Sequence, residues 1–224
     1  MKKVIIATAL LAMTGLGATA QTVFDNPNNK SYVGIRASLD IPCPGDIKYE
    51  GIGISSFKNG AGIDLGFIAN FPVVANFYIE PGLNFYYNAC GLQDNAYNDI
   101  DLSLLNHASM REWGMRIPVS LGYHFDFTND VSVAVFTGPE LEVGFANDIY
   151  LTTKKISGVE EHLAYSNYSQ GLRRVNCSWT FGVGCNVLRN YYIGVTGAVG
   201  MVDLDKSDAS WKKDRVSITL GYNF

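Results

Sequence analysis

The feature that most constrains this chain is a two-residue alternation of apolar and polar side chains, repeated in eight stretches. They run over 31–41, 59–71, 76–88, 110–125, 131–147, 174–188, 191–202 and 214–224. A β-strand sends successive side chains to opposite faces, so this period belongs to strands with two unlike faces. In the third stretch Phe77, Ile79, Leu83, Phe85 and Tyr87 share one parity, against Tyr78, Glu80, Gly82, Asn84 and Tyr86. In the sixth, Val175, Trp179, Phe181 and Val183 stand against Asn176, Ser178, Thr180 and Gly182. No 3.6-residue period of comparable strength competes with it.

The connections between these stretches alternate in length. Long ones cover 42–58, 89–109, 148–173 and 203–213, while short turns fall at "FPVVAN", "DFTND" and Arg189-Asn190. In an up-and-down meander every long connection then lies at one end, and the short turns and both strand termini lie at the other. An even strand number with that asymmetry is the layout of a transmembrane barrel. The expected fold is all-β: a closed eight-stranded antiparallel up-and-down transmembrane β-barrel with long extracellular loops and short periplasmic turns.

A soluble lipocalin-like barrel has the same strand count, so the character of the two faces decides. The polar face is made of small residues and a few charges of both signs, among them Gly34, Arg36, Ser38, Asp64, Gly66 and Gly82. No lysine lies on the polar face of a strand core, whereas a water-washed sheet face is rich in lysine. The other face is apolar throughout. Its aromatics form two belts, with Phe71, Phe77, Tyr123, Phe125, Tyr191 and Phe224 near the turn end and Tyr87, Trp113, Phe145 and Trp179 near the long-loop end. Aromatic girdles around an apolar band belong to a lipid-facing wall.

The first twenty residues, "MKKVIIATALLAMTGLGATA", carry two lysines, an apolar stretch and a small-x-small end. They are expected to be a cleaved signal peptide (residues 1–20), with 21–224 as a single barrel domain. The expected localisation is then the outer membrane. The expected partners are outer-membrane lipid and the export and assembly machinery. A net charge of −4 argues against nucleic acid. The four cysteines form no C-x-x-C pair, so neither a structural zinc site nor a redox motif is expected, and no cofactor or metal is. Cys43 and Cys90 fall at one end of the barrel, where they could pair, while Cys177 and Cys185 lie too far apart along one strand.

An eight-stranded barrel is just wide enough for side chains to fill. Arg36, Asp64, Glu80, Arg116 and Glu140 sit mid-strand with lumen parity and are expected to form a buried ion-pair cluster that plugs it. "RVSITLGYNF" closes the last stretch with Ile218, Leu220, Tyr222 and Phe224 on the apolar face. That pattern resembles the carboxy-terminal signal read by outer-membrane assembly machinery.

"YIEPGLNFYYN", "REWGMRIPVSLGYHF", "VAVFTGPELEVG" and "WTFGVGCNV" resemble successive strands of the PorT-like family of outer-membrane β-barrels, often labelled porin family proteins. The resemblance implies the eight-stranded barrel and its location, and no particular activity. The leading functional expectation is a non-enzymatic barrel with a structural or adhesive role exercised through its surface loops. The alternatives are a narrow small-solute channel, a lipid A-modifying enzyme and a secreted lipocalin-like binder. The enzyme alternative rests on His107 and Ser109, two apart on a lipid-facing parity as in lipid A deacylases. It lacks a carboxylate on the same face, since Glu112 and Glu140 have lumen parity.

Overall fold

The computed structural model describes residues 31–49, 52–54, 57–91, 105–128, 130–154, 160–188, 190–206 and 210–224. The expected export signal, residues 1–20, lies outside them. Eleven strands follow in chain order: β1 (Tyr32–Pro44), β2 (Ile47–Tyr49), β3 (Ile52–Ile54), β4 (Ala61–Val74), β5 (Phe77–Gly91) and β6 (Leu105–Thr128). Next come β7 (Val131–Lys154), β8 (Glu160–Ser166), β9 (Val175–Val187), β10 (Tyr191–Gly200) and β11 (Lys213–Asn223).

Eight of them, β1, β4, β5, β6, β7, β9, β10 and β11, pair antiparallel with their neighbours, and the pairing of β1 with β11 closes the ring. At the seam Arg36 stands opposite Gly221 and Leu39 opposite Ile218. The backbone N–H of Phe224 donates to the Val33 carbonyl at 2.8 Å, so the last residue is tied to the first strand. Closure leaves no unpaired strand edge in the barrel wall.

The alternation read from the sequence maps onto inside and outside. On β1 Gly34, Arg36 and Asp40 are buried while Val33, Ile35, Leu39 and Ile41 are exposed. Arg116 retains 1% of its surface and Phe67 retains 64%, the reverse of a water-soluble fold. Tyr78 and Tyr86 point inward as their parity requires and are buried. Backbone room for such rings is made by glycine. A Cβ at Gly184 or Gly194 would overlap the Tyr192 ring, and one at Gly122 would overlap Tyr78.

Three connections read as loops from the sequence carry strand residues. β2 and β3 form a hairpin inside the first long connection. β6 and β7 run for 24 residues each, well beyond the 9–11 residues a membrane-spanning strand needs. β8 adds to the far end of β7, from Asp148↔Ser166 to Lys154↔Glu160. The resulting β6–β7–β8 blade stands beyond the barrel rim on the long-loop side. A register shift between Trp113 and Gly114, opposite Ala146 and Gly144, explains why the alternation failed to reveal it. Glu142 and Gly144 are buried, then Asn147, so the inward parity changes over at the bulge.

The one apolar core cluster among the described residues lies at the long-loop mouth. Phe57, Cys90, Met110, Leu204 and Trp211 pack together, with Ile47, Ile149 and Leu172 against them. The Phe57 and Trp211 rings stack at 5.3 Å, and the indole N–H of Trp211 donates to the Gly45 carbonyl at 3.0 Å. Reciprocal backbone hydrogen bonds join Lys48 to Ser210 at 2.7 and 2.8 Å. The described parts of the long connections thus meet in a cap. All four cysteines are free. Cys43 on β1 and Cys90 on β5 are separated by β4, and two strand spacings of ~4.8 Å exceed the Cα reach of a disulfide.

Candidate functional site

The lumen is the candidate site. Its side chains come from every barrel strand and sort into three tiers along the axis. The middle tier is centred on Arg116 of β6. Its Nη1 reaches Asp40 of β1 at 2.6 Å and Asp64 of β4 at 3.0 Å, and its Nε reaches Glu142 of β7 at 2.9 Å. Its guanidinium also lies over the Tyr86 ring at 3.9 Å. One cation therefore ties four strands together around the barrel. Arg215 of β11 completes this tier by pairing with Glu140 at 2.9 Å, while the Ser217 hydroxyl donates to Asp40 at 2.7 Å.

Toward the long-loop end, Lys213 pairs with Glu112 at 2.6 Å and with Glu142 at 3.1 Å. Amide groups of Asn88 and Asn147 donate to the two oxygens of Glu112 at 3.1 and 2.9 Å. A cavity of about 20 Å³ remains between these tiers, room for one water.

Toward the turn end the packing is looser. Arg36 donates to Asn223 at 2.8 Å and to its neighbour's carbonyl, that of Ile35, and lies over the Tyr192 ring at 4.2 Å. Glu80 accepts from Asn70 at 3.1 Å and from the Tyr32 hydroxyl at 3.5 Å. Neither has an oppositely charged partner among the described residues. The Tyr78 ring stacks on His124 at 4.3 Å near the rim.

Of the five residues expected to form one cluster, the geometry brings Arg116 and Asp64 together directly and sets Glu140 in the same tier through Arg215. Arg36 and Glu80 stand apart, toward the turn end. Sequence reasoning missed Asp40, Glu112, Glu142, Lys213 and Arg215 as members of the network. Parity was the available signal: Asp40 follows Arg36 and Ser38 on the inner face, and Arg215 precedes Ser217 and Thr219. Lys213 and Arg215 fall at the start of β11, where a strand end and a loop look alike.

Ile218, Leu220, Tyr222 and Phe224 all face outward, between 37% and 68% exposed. Tyr222 packs edge-on against both Tyr191 and Phe224. The turn-end belt continues through Phe77, Tyr123 and Phe125. At the other belt Trp113 meets Phe145 edge-on at 5.1 Å, and the Trp179 indole donates to Thr137.

Ser109, expected on the lipid-facing side in the deacylase alternative, is buried instead. The Ser109 hydroxyl is buried with no hydrogen-bond partner, and Glu112 is committed to Lys213 inside the lumen. The side chains of His107 and His162 lie outside those described. No group of three or more His, Cys, Asp or Glu among the described residues is placed to hold a metal.

No known family profile matches the chain, and no curated protein matches it. Among solved structures it is similar to Ail, the attachment invasion locus protein of Yersinia pestis, at 15% identity and a TM-score of 0.41, covering 87% of this chain and 97% of that one. It is also similar to the outer membrane protein OprG from Pseudomonas aeruginosa, at 11% identity and a TM-score of 0.47, covering 87% and 95%. Neisserial surface protein A gives 12% identity, a TM-score of 0.39 and coverage of 87% and 97%. Values this low say nothing of what the chain does, and its fold stands on its own strand pairing.

Proposed function

We propose that the chain is a non-enzymatic integral outer-membrane β-barrel of a Gram-negative cell, with a side-chain-plugged lumen and a structural or adhesive role exercised by its capped long-loop end. One observation carries the reading: the charged residues are inside and the large apolar ones are outside. A contiguous apolar wall around the whole barrel far exceeds the few hundred Å² that a soluble monomer leaves exposed. Lipid is the solvent that such a wall suits, and the girdles mark where headgroups begin. The likeness of the strand motifs to the PorT-like family fits this reading.

The plug follows from the Arg116 tier. Its ion pairs cross the lumen between four strands, which supports a filled interior. Residues 1–20 serve as the export signal, and the outward Ile218, Leu220, Tyr222 and Phe224 of β11 as the assembly signal. The cap and the β6–β7–β8 blade give the long-loop end a folded surface for contact.

Fractionation tests the location: the protein is expected in the outer membrane, released only by detergent and shifting mobility on heating. Recovery as a monodisperse periplasmic protein would return the lipocalin-like alternative to first place. Planar-bilayer recording tests the plug, with little steady conductance expected. A large steady conductance makes the protein a channel.

A further inference from the structure

Below the Arg116 tier, toward the turn end, lies a cavity of about 80 Å³ lined among others by Arg36, Asp64, Glu80, Asn84, Tyr192 and Arg215. It is closed toward the long-loop end by the ion pairs of Arg116 and Arg215 and, beyond them, by the cap. Glu80 and Tyr192 in its wall are half-buried, so the cavity meets solvent on the turn side. It is a blind chamber.

Residues that line it keep hydrogen-bonding groups of both kinds without a partner, at atoms set just behind its surface. Arg36 is 5% exposed, and its Nη2 is buried with no partner. Asp64 is 5% exposed, and its Oδ1, the oxygen turned away from Arg116, has none either. Asn84 Oδ1 is a third. Arg36 and Glu80 line the same chamber without an ion-pair partner among the described residues. A buried charge left unpaired is costly, and the rest of this lumen pairs its charges closely. The exception is local to the chamber. Ser120, Thr180 and Thr196 add hydroxyls to the lining, beside the apolar Ile68, Pro118 and Phe136.

We propose that this chamber binds a small zwitterionic solute, its carboxylate taken by Arg36 and its ammonium by the acceptors Asp64, Asn84 and Glu80. The volume corresponds to about half a dozen waters at ~10–15 Å³ each, the scale of a solute with roughly five heavy atoms. The site rests on the plugged lumen proposed above, since the Arg116 tier is its floor.

The test is calorimetric titration of the full mature protein in detergent with glycine, acetate and methylammonium. Saturable binding of glycine is expected, with acetate and methylammonium at least tenfold weaker because each engages only one end of the chamber. R36Q and E80Q are each expected to weaken glycine tenfold or more. If either variant fails to fold, the three-probe comparison on the unmodified protein decides alone. Absence of saturable glycine binding, or glycine no tighter than the single-charge probes, overturns the proposal and leaves the chamber to water. Bilayer recording is read separately: a conducting barrel removes the floor, whereas a silent barrel that ignores glycine removes only the ligand.

Discussion

Arg116 meets three carboxylates from three other strands, which makes it the side chain whose loss should be felt most. Replacing it with alanine leaves Asp40 and Asp64 buried without their cation, while Glu142 keeps Lys213. Breaking a buried pair on one side costs about 3–5 kcal/mol. Denaturant titration of the heat-modifiable form should show R116A destabilised on that scale, or bilayer recording should show a leak as water enters to solvate the acids. R116A combined with D64A should cost less than the two single losses added. Strict additivity would mean that the two side chains do not interact. A second residue-scale prediction concerns Gly184, whose added Cβ would fall into the Tyr192 ring. G184A should cost about 1–3 kcal/mol, as overpacking does. G91A is the control, since nothing lies within 4 Å of its added Cβ. At this scale the sequence was readable where strand parity was unbroken, as at Arg116 and Asp64. It was unreadable at Lys213 and Arg215, where alternation has only begun and a charged residue reads equally well as loop.

Among the elements, the barrel strands and the cap differ in what holds them. The strands close through a continuous ladder, whereas the cap depends on a few contacts around Trp211. W211A removes the stacking on Phe57 and the hydrogen bond to Gly45. It should expose the long connections to protease while the barrel remains folded and heat-modifiable. Loss of the whole barrel would show that cap and wall are one cooperative unit. Asp203, in the same cap and outside the membrane band, accepts backbone N–H groups from Trp211 at 2.9 Å and Asp205 at 3.2 Å. Burial alone would raise its pKa, but these bonds, with one from Ser210 and the charge of Arg173, together hold the carboxyl below the ordinary aspartate value. A carboxyl depressed in the folded state contributes its stabilisation above the unfolded pKa and loses it as pH falls through the folded one. Protease protection of the cap should therefore be constant near neutrality and decline only below about pH 4, the ordinary aspartate value. D203N should be less protected at neutral pH. The cap was hidden from the sequence because its contacts join segments more than a hundred residues apart, such as Phe57 and Trp211. The blade was hidden because a bulge reverses the alternation at Phe145–Ala146.

At the scale of the whole molecule, the account stands on one inversion. The number of barrel strands, their order and their two faces were legible because a closed barrel with an apolar outside and a polar inside writes both faces into a single period of two. Which lumen charges pair was not legible, because pairing depends on the stagger of strands around the ring. Asp40, for instance, reaches Arg116 from a strand separated from β6 by β4 and β5. The outward Phe224 belongs to this scale too, since it joins the turn-end belt and ties to Val33. Replacing it with aspartate should reduce the amount of heat-modifiable protein recovered from outer membranes, and unchanged recovery would remove it from the assembly signal. The inversion itself is most directly tested with the chain's three tryptophans. Trp113 and Trp179 are 50% and 45% exposed on the outer belt, whereas Trp211 is 4% exposed within the cap. In single-tryptophan variants reconstituted into vesicles whose lipids carry bromine high on the acyl chain, Trp113 and Trp179 should be quenched strongly and Trp211 hardly at all. Quenching of Trp113 and Trp179 by aqueous iodide and not by brominated lipid would contradict a lipid-facing wall.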